Sequence, residues 1–180
     1  MNKFLVVIDM QNDFITGSLG SEMAQAIVPN VKKKIEECCK DNYFIFFTKD
    51  THGDNYLDTL EGKYLPVKHC VHETDGWNTP KELYDIDGLK FAYNYLLVSK
   101  KTFGFDGWKD YIKENDLSEI QICGLCTDIC VISNALILRA NFPNIKIICD
   151  ASCCAGTTIE KHNSALDVME SCQIEVINRE

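Results

Sequence analysis

The sequence has no long hydrophobic run and no excess of positive charge. A membrane helix needs ~20 consecutive apolar residues, and no window approaches that. The first apolar run, Phe4-Leu5-Val6-Val7-Ile8, stops at Asp9 after five residues, short of what a signal peptide requires. A cytoplasmic protein that does not engage membranes is expected. Lys and Arg number 18 against 27 Asp and Glu, a net charge of −9. A phosphate backbone would be repelled, so no nucleic-acid partner is expected. Repeats and low-complexity tracts are missing as well. With 46% hydrophobic and 25% charged residues in 180, the composition fits one globular domain over 1–180.

Cysteine, by contrast, is plentiful: ten residues. A secreted disulfide scaffold would be shorter and poorer in core. Several of these cysteines sit in apolar runs (Ile122-Cys123, Ile148-Cys149), where a thiol acts as a small hydrophobe. Most are expected to be reduced and structural.

Short β-type runs alternate with helical patterns. Lys3–Ile8, Tyr43–Thr48, Tyr95–Ser99, Glu119–Cys123, Ile145–Cys149 and Gln173–Ile177 read as strands. A helix is expected from about Pro29, carrying Val31, Ile35, Cys38 and Cys39 at helical spacing, with proline in its first turn. Trp108–Lys113 and Asp128–Ala140 also read as helices. Thr157 with Glu160 predicts a capping box opening a last helix, whose apolar face is Ile159, Leu166, Met169 and Cys172. Six strands separated by helices predict an α/β, doubly wound parallel six-stranded sheet with helices on both faces. The stretch from about 50 to 80 lacks a clear period, and long irregular segments in compact domains are often functional.

In such sheets ligands bind beyond the carboxyl ends of the strands. Strand one ends in Asp9, strand two in Asp50-Thr51-His52, and strand three in Lys100-Lys101. Strand four ends in Gly124-Leu125-Cys126-Thr127-Asp128-Ile129-Cys130. An acid, an acid–imidazole pair, an amine and a thiol therefore share one edge. A thiolate at Cys130 would gain from a helix N-terminus and a nearby lysine, Asp9 could take its proton, and the amides around Cys126 and Cys130 could hold an oxyanion. Taken singly, each has a plain structural reading: Asp9 as a turn cap, Cys130 as a core thiol, Lys100 as a solvated charge.

Asp50, His52 and His69 form a second group, with oxygen and imidazole donors that suit Zn²⁺, Fe²⁺ or Mn²⁺. Glu61 in the same loop is a fourth candidate. His72 reads as an exposed loop residue and His162 as structural. Cys123-x-x-Cys126 has dithiol spacing, which leaves a thiol redox or metal-buffer protein as the reading from another class. No second such pair completes a zinc site.

These segments resemble the isochorismatase-like cysteine hydrolases, most nearly their nicotinamidase branch. The resemblance is carried by Val6-Val7-Ile8-Asp9-Met10-Gln11-Asn12-Asp13-Phe14, by Thr48-Lys49-Asp50-Thr51-His52 with Leu65-Pro66-Val67-Lys68-His69-Cys70, by Lys100-Lys101-Thr102-Phe103-Gly104, and by Gly124-Leu125-Cys126-Thr127-Asp128-Ile129-Cys130-Val131. It implies strand order 3-2-1-4-5-6 and a cis bond between Leu125 and Cys126. It also implies Cys130 as nucleophile, Asp9 as acid and base, and Lys100 completing the triad, with an oxyanion hole at the Cys126 and Cys130 amides. Phe14, Trp77 and Phe103 would flank a flat ring. Asp50, His52 and His69, with Glu61 as a further ligand, would hold one divalent metal, zinc first and iron or manganese as alternatives, with no organic cofactor. The implied reaction is hydrolysis of nicotinamide to nicotinate and ammonia through a thioester, the metal orienting the pyridine. A related small-amide or carbamoyl hydrolase is the alternative, and a homo-oligomer is expected. Two departures from the family pattern border the pocket: His72-Glu73-Thr74, and Phe103-Gly104-Phe105.

Overall fold

The structure is a computed structural model that describes residues 2–86, 89 and 95–179. Strands β1 (Asn2–Ile8), β2 (Phe44–Asp50), β3 (Tyr95–Lys100), β4 (Leu117–Leu125), β5 (Lys146–Ala155) and β6 (Glu175–Ile177) form one all-parallel sheet. Its order is β3-β2-β1-β4-β5-β6. Successive residues of a strand point to opposite faces, yet Leu5 through Ile8 are all buried. Both faces of the central sheet are therefore covered, which is why β1 reads as an unbroken apolar run.

The order reverses between β1 and β4, whose ends are matched in register, Val7 with Cys123 and Ile8 with Gly124. A crevice at such a switch point is where doubly wound sheets bind ligands. Gly124 has φ 123°, and a Cβ there would run into the carbonyl oxygen of Ile8. Only glycine lets the two central strands finish side by side.

The described helices are α1 (Asn12–Ile15), α2 (Glu22–Lys40), α3 (Leu60–Tyr64), α4 (Lys81–Tyr84), α5 (Trp108–Tyr111), α6 (Ile132–Asn141) and α7 (Ile159–Ser171). Several element ends differ from the sequence reading, and four differences are informative. Helix α2 starts at Glu22, with Ser21 capping the Ala24 amide at 3.1 Å, so Pro29 lies inside the helix. Thr158, not Thr157, caps α7 by accepting from the Lys161 amide. The Thr157 hydroxyl is instead committed to Asp128, donating at 2.6 Å. Strand β5 continues to Ala155, because the charge of Asp150 is answered inside the fold by Lys34 at 2.9 Å. The segment read as helix 128–140 opens with a π-helical turn, Thr127–Val131.

The irregular stretch after β2 is tied to the sheet by a parallel bridge between His52 and Val71. The His52 amide donates to the Cys70 carbonyl at 3.0 Å and the His72 amide to the His52 carbonyl at 2.9 Å. The Asp13 carboxylate accepts from the Cys70 amide at 2.7 Å. These bonds fold His69 back over the end of β2. Among the described residues no helix is long and apolar enough to cross a membrane.

Candidate active site

Asp9 follows the last residue of β1 with φ 45°, a left-handed conformation that Asp tolerates better than most residues. The turn aims its carboxylate sideways at the ends of β2 and β3. Thr48 of β2 donates to Asp9 Oδ1 at 2.6 Å and accepts from the Asp9 amide at 3.2 Å. From the end of β3, Lys100 places Nζ 2.6 Å from Asp9 Oδ2, 3.5 Å from Cys130 Sγ and 3.7 Å from Asp50 Oδ1. Asp9, Lys100 and Cys130 are all buried, at 0%, 3% and 5% exposure. The structure thus brings the acid, the amine and the thiol together.

Their electrostatics follow from that burial. The Asp9 carboxyl is raised above its ordinary value by desolvation, which the Lys100 charge only partly offsets. Burial pulls Lys100 down, but the charge of Asp9 outweighs it and holds the ammonium firmly protonated. Cys130 is pushed well up by burial first and by the Asp9 charge next, with Lys100 working the other way. Desolvation of the sulfur thus works against a thiolate at Cys130, and the nearby Lys100 charge works for it. Burial raises Cys126 too, to about 12.

The peptide between Leu125 and Cys126 is cis. It leads into the π-helical turn, whose Val131 amide donates to the Cys126 carbonyl at 3.1 Å. Such turns recur at functional sites because they displace side chains from the regular helical track. Asn134, one turn on, donates to the carbonyls of Cys130 at 2.8 Å and Phe103 at 3.1 Å and accepts from the Phe105 amide at 3.0 Å. It joins the segment after Lys100 to the turn that carries Cys130.

Asp50, His52, Glu61 and His69 offer donor atoms that all lie within 4.8 Å of one another. Nε2 of His52 is 2.8 Å and Nε2 of His69 3.5 Å from Asp50 Oδ2, and the two nitrogens are 3.7 and 3.8 Å from Glu61 Oε1. His69 Nδ1 is occupied by the Val67 carbonyl at 2.8 Å, which turns Nε2 to the cluster. Asp50 stays well below the ordinary carboxylate range: burial opposes this, but hydrogen bonds to His52 and His69 and the Lys100 charge prevail. Two acids and two imidazoles converging in a mostly buried space form a candidate donor set for a divalent transition metal.

A cavity of about 400 Å³ joins the two groups. Asp50, Glu61, His69 and Cys130 border it, and Phe14, Leu65, Phe103 and Ile129 supply apolar walls. Phe14 also meets the His69 ring at 5.5 Å between centroids. Trp77 does not line this cavity, contrary to expectation. Its ring lies on the Lys49 ammonium, 3.0 Å from centroid to Nζ, and its Nε1 donates to Thr51 Oγ1 at 2.8 Å. A buried lysine claimed the aromatic face first. His72 packs edge-on against Trp77 at 4.9 Å, outside the donor cluster. All ten cysteines are free thiols, and Cys123 is sealed in β4.

Sequence reasoning missed three residues. Thr48 orients the Asp9 carboxylate and Asn134 braces the turn. Gln11, fully buried, donates to the Asp50 carbonyl at 2.9 Å and the Trp77 carbonyl at 3.0 Å and accepts from the Asp50 amide at 2.8 Å. Their only signal was polarity inside otherwise apolar or motif segments.

A family model, the isochorismatase domain, matches residues 3–180. The chain belongs to the isochorismatase family. A nicotinamidase of Schizosaccharomyces pombe is 28% identical over 97% of this chain and 92% of its own. The crystal structure of a nicotinamidase from Bacillus subtilis superposes with a TM-score of 0.85 at 26% identity, covering 98% of this chain and 99% of the other. A Pyrococcus horikoshii pyrazinamidase, solved in complex with zinc, shares the fold with a TM-score of 0.83 at 24% identity over 99% and 100% of the two chains.

Proposed function

We propose that this isochorismatase-family protein is a nicotinamidase-like cysteine amidohydrolase. The carrying observation is that a thiol in contact with an acid–lysine pair and a four-donor metal-type cluster border the same small, partly apolar cavity. The nicotinamidases among its relatives support the same reading.

Asp50, His52 and His69, with Glu61 beside them, would hold a divalent ion, and zinc fits because imidazole nitrogens and carboxylate oxygens are its ordinary ligands. Such an ion supplies a Lewis-acid anchor for a ring nitrogen. Phe14 and Phe103 flank the ring and direct its carboxamide toward Cys130. Asp9 accepts the Cys130 proton while Lys100 keeps the resulting negative charge paired. The sulfur attacks the carboxamide carbon, and the backbone N–H groups of Cys126 and Cys130 bind the oxygen as it becomes an oxyanion. One such donor is worth ~10²–10³ in rate. Asp9 passes its proton to the departing nitrogen, releasing ammonia and leaving a thioester on Cys130. Asp9, again a base, deprotonates a water that attacks the thioester carbonyl; the C–S bond breaks, the acid is freed, and Asp9 returns the proton to the Cys130 sulfur.

The test is ammonia release by the metal-loaded protein from nicotinamide, beside acyclic amides and N-carbamoyl compounds. Preference for nicotinamide supports the reading. Release only from carbamoyl or acyclic substrates moves the substrate class within the family, and release from none contradicts it.

A further inference from the structure

The nucleophile turn is held from its far side as well. Thr127, between the cis peptide and Cys130, is fully buried. Its hydroxyl makes a 2.8 Å hydrogen bond to Nδ1 of His162, a half-buried residue of α7. Beside it, Asp128 accepts from the amide and hydroxyl of Thr157 at 2.7 and 2.6 Å. Gly156 lies so close beneath that a Cβ there would stand 2.8 Å from His162 Cβ and 2.9 Å from Asp128 Oδ1. Two successive turn residues are thus fastened to the loop and helix after β5, just ahead of the sulfur and the amide on which the chemistry depends.

We infer that His162 is a positioning residue, which through Thr127 fixes where the Cys126–Cys130 turn presents its thiol and amides. His162 does not itself line the cavity, although it packs on Gly156, which does. Arg179 and Asp128 are the charged groups that face it: burial first and the Arg179 charge next pull the imidazole below its ordinary value, and Asp128 opposes them. The 2.8 Å contact makes Nδ1 the partner of the Thr127 hydroxyl, and an asparagine side-chain amide, with both a donor and an acceptor, can take that place. The inference about catalysis rests on the amidohydrolase reading.

The experiment is a double-mutant cycle on the metal-loaded protein, with His162→Leu, Thr127→Val and their combination, plus His162→Asn as the conservative variant. With nicotinamide, kcat of His162→Leu should fall about tenfold, less than the ~10²–10³ for deleting an oxyanion donor outright. KM should stay within about twofold, since the ring is held elsewhere. His162→Asn should recover to within about threefold of wild type, and the double variant should be no worse than the poorer single. A kcat for His162→Leu within about twofold of wild type, or losses that multiply in the double variant, would overturn the assignment. If His162→Leu does not fold, Thr127→Val and His162→Asn decide: loss in the first with retention in the second supports it, and no loss in the first overturns it. If wild type releases no ammonia from nicotinamide, it is the substrate reading that fails. The alkylation rate of Cys130 by iodoacetamide, followed on its own peptide, then tests the clamp directly. A change of about threefold or more in His162→Leu that His162→Asn restores supports the clamp, and an unchanged rate overturns it.

Discussion

Lys100 Nζ stands 2.6 Å from Oδ2 of Asp9, and neither side chain reaches solvent beyond 1%. Asp9 holds the Lys100 ammonium protonated and Lys100 offsets part of the desolvation of Asp9, so removing one strands the other. Lys100→Met should therefore cost about 3 kcal/mol of stability and lower kcat about 10³-fold or more, since Asp9 would keep a proton it must shed. Denaturant titration and ammonia release check the two arms. A variant with wild-type turnover would contradict the role given to this pair.

Gln11 holds Asp50 through both its amide and its carbonyl. Gln11→Glu keeps the shape but removes the NH₂ donor and sets a second negative charge beside a buried carboxylate. Loss of an outer hydrogen bond that positions a candidate metal ligand, here through the Asp50 backbone, weakens metal binding ~10–100-fold. Zinc affinity by competition with a chelator should fall within that range while circular dichroism stays unchanged. Unchanged zinc affinity would show that Asp50 is held without Gln11.

At Gly124 the outcome is set by backbone alone. Gly124→Ala puts a methyl against the Ile8 carbonyl at a φ that disfavours side chains. A loss of more than about 3 kcal/mol, or failure to fold, is expected from strain at such a position. A chemical-denaturation midpoint near wild type would contradict the close approach of β1 and β4.

Asp150 and Lys34 carry a pH signature. Hydrogen bonds from Asn178, Lys34 and Ser152 overcome burial and hold the Asp150 carboxyl below its ordinary 3.8. Its stabilisation is complete above that value and is lost as pH falls through it. Lys34 is raised above its ordinary 10.5, because the bond to Asp150 outweighs desolvation. Its contribution is complete below that pH and is lost as pH rises further. In the Lys34→Met/Asp150→Asn double variant, the fall in stability below about pH 4 should be shallower than in wild type. Urea midpoints between about pH 3 and 6 measure it, and an identical slope would remove the pair from the acid response.

The strands were legible because their burial is written in composition: Phe4–Ile8 carries no polar residue to argue about. Strand β5 was cut short at Cys149 because Asp150 and Ser152 look like a loop. Lys34 and Asn178, the partners of Asp150, lie more than twenty residues away and answer its charge only after folding, and Ser152 donates to the same carboxylate. The convergence of Asp9, Asp50, Lys100 and Cys130 was legible, since parallel strands deliver their carboxyl ends to one rim. The misplacement of Trp77 had a different cause. An aromatic near a site looks like a ring platform, and nothing in the spacing reveals that the Lys49 ammonium lies under it. The turn Thr127–Val131 read as ordinary helix because apolar spacing does not separate an i to i+5 bond from an i to i+4 bond.

The most direct test of the whole account is ammonia release from nicotinamide by Cys130→Ser, measured with its metal content and thermal melt. A folded protein with its divalent ion bound and no turnover is expected. A Cys130→Ser protein that releases ammonia at the wild-type rate would contradict it, because the sulfur would then take no part in the reaction.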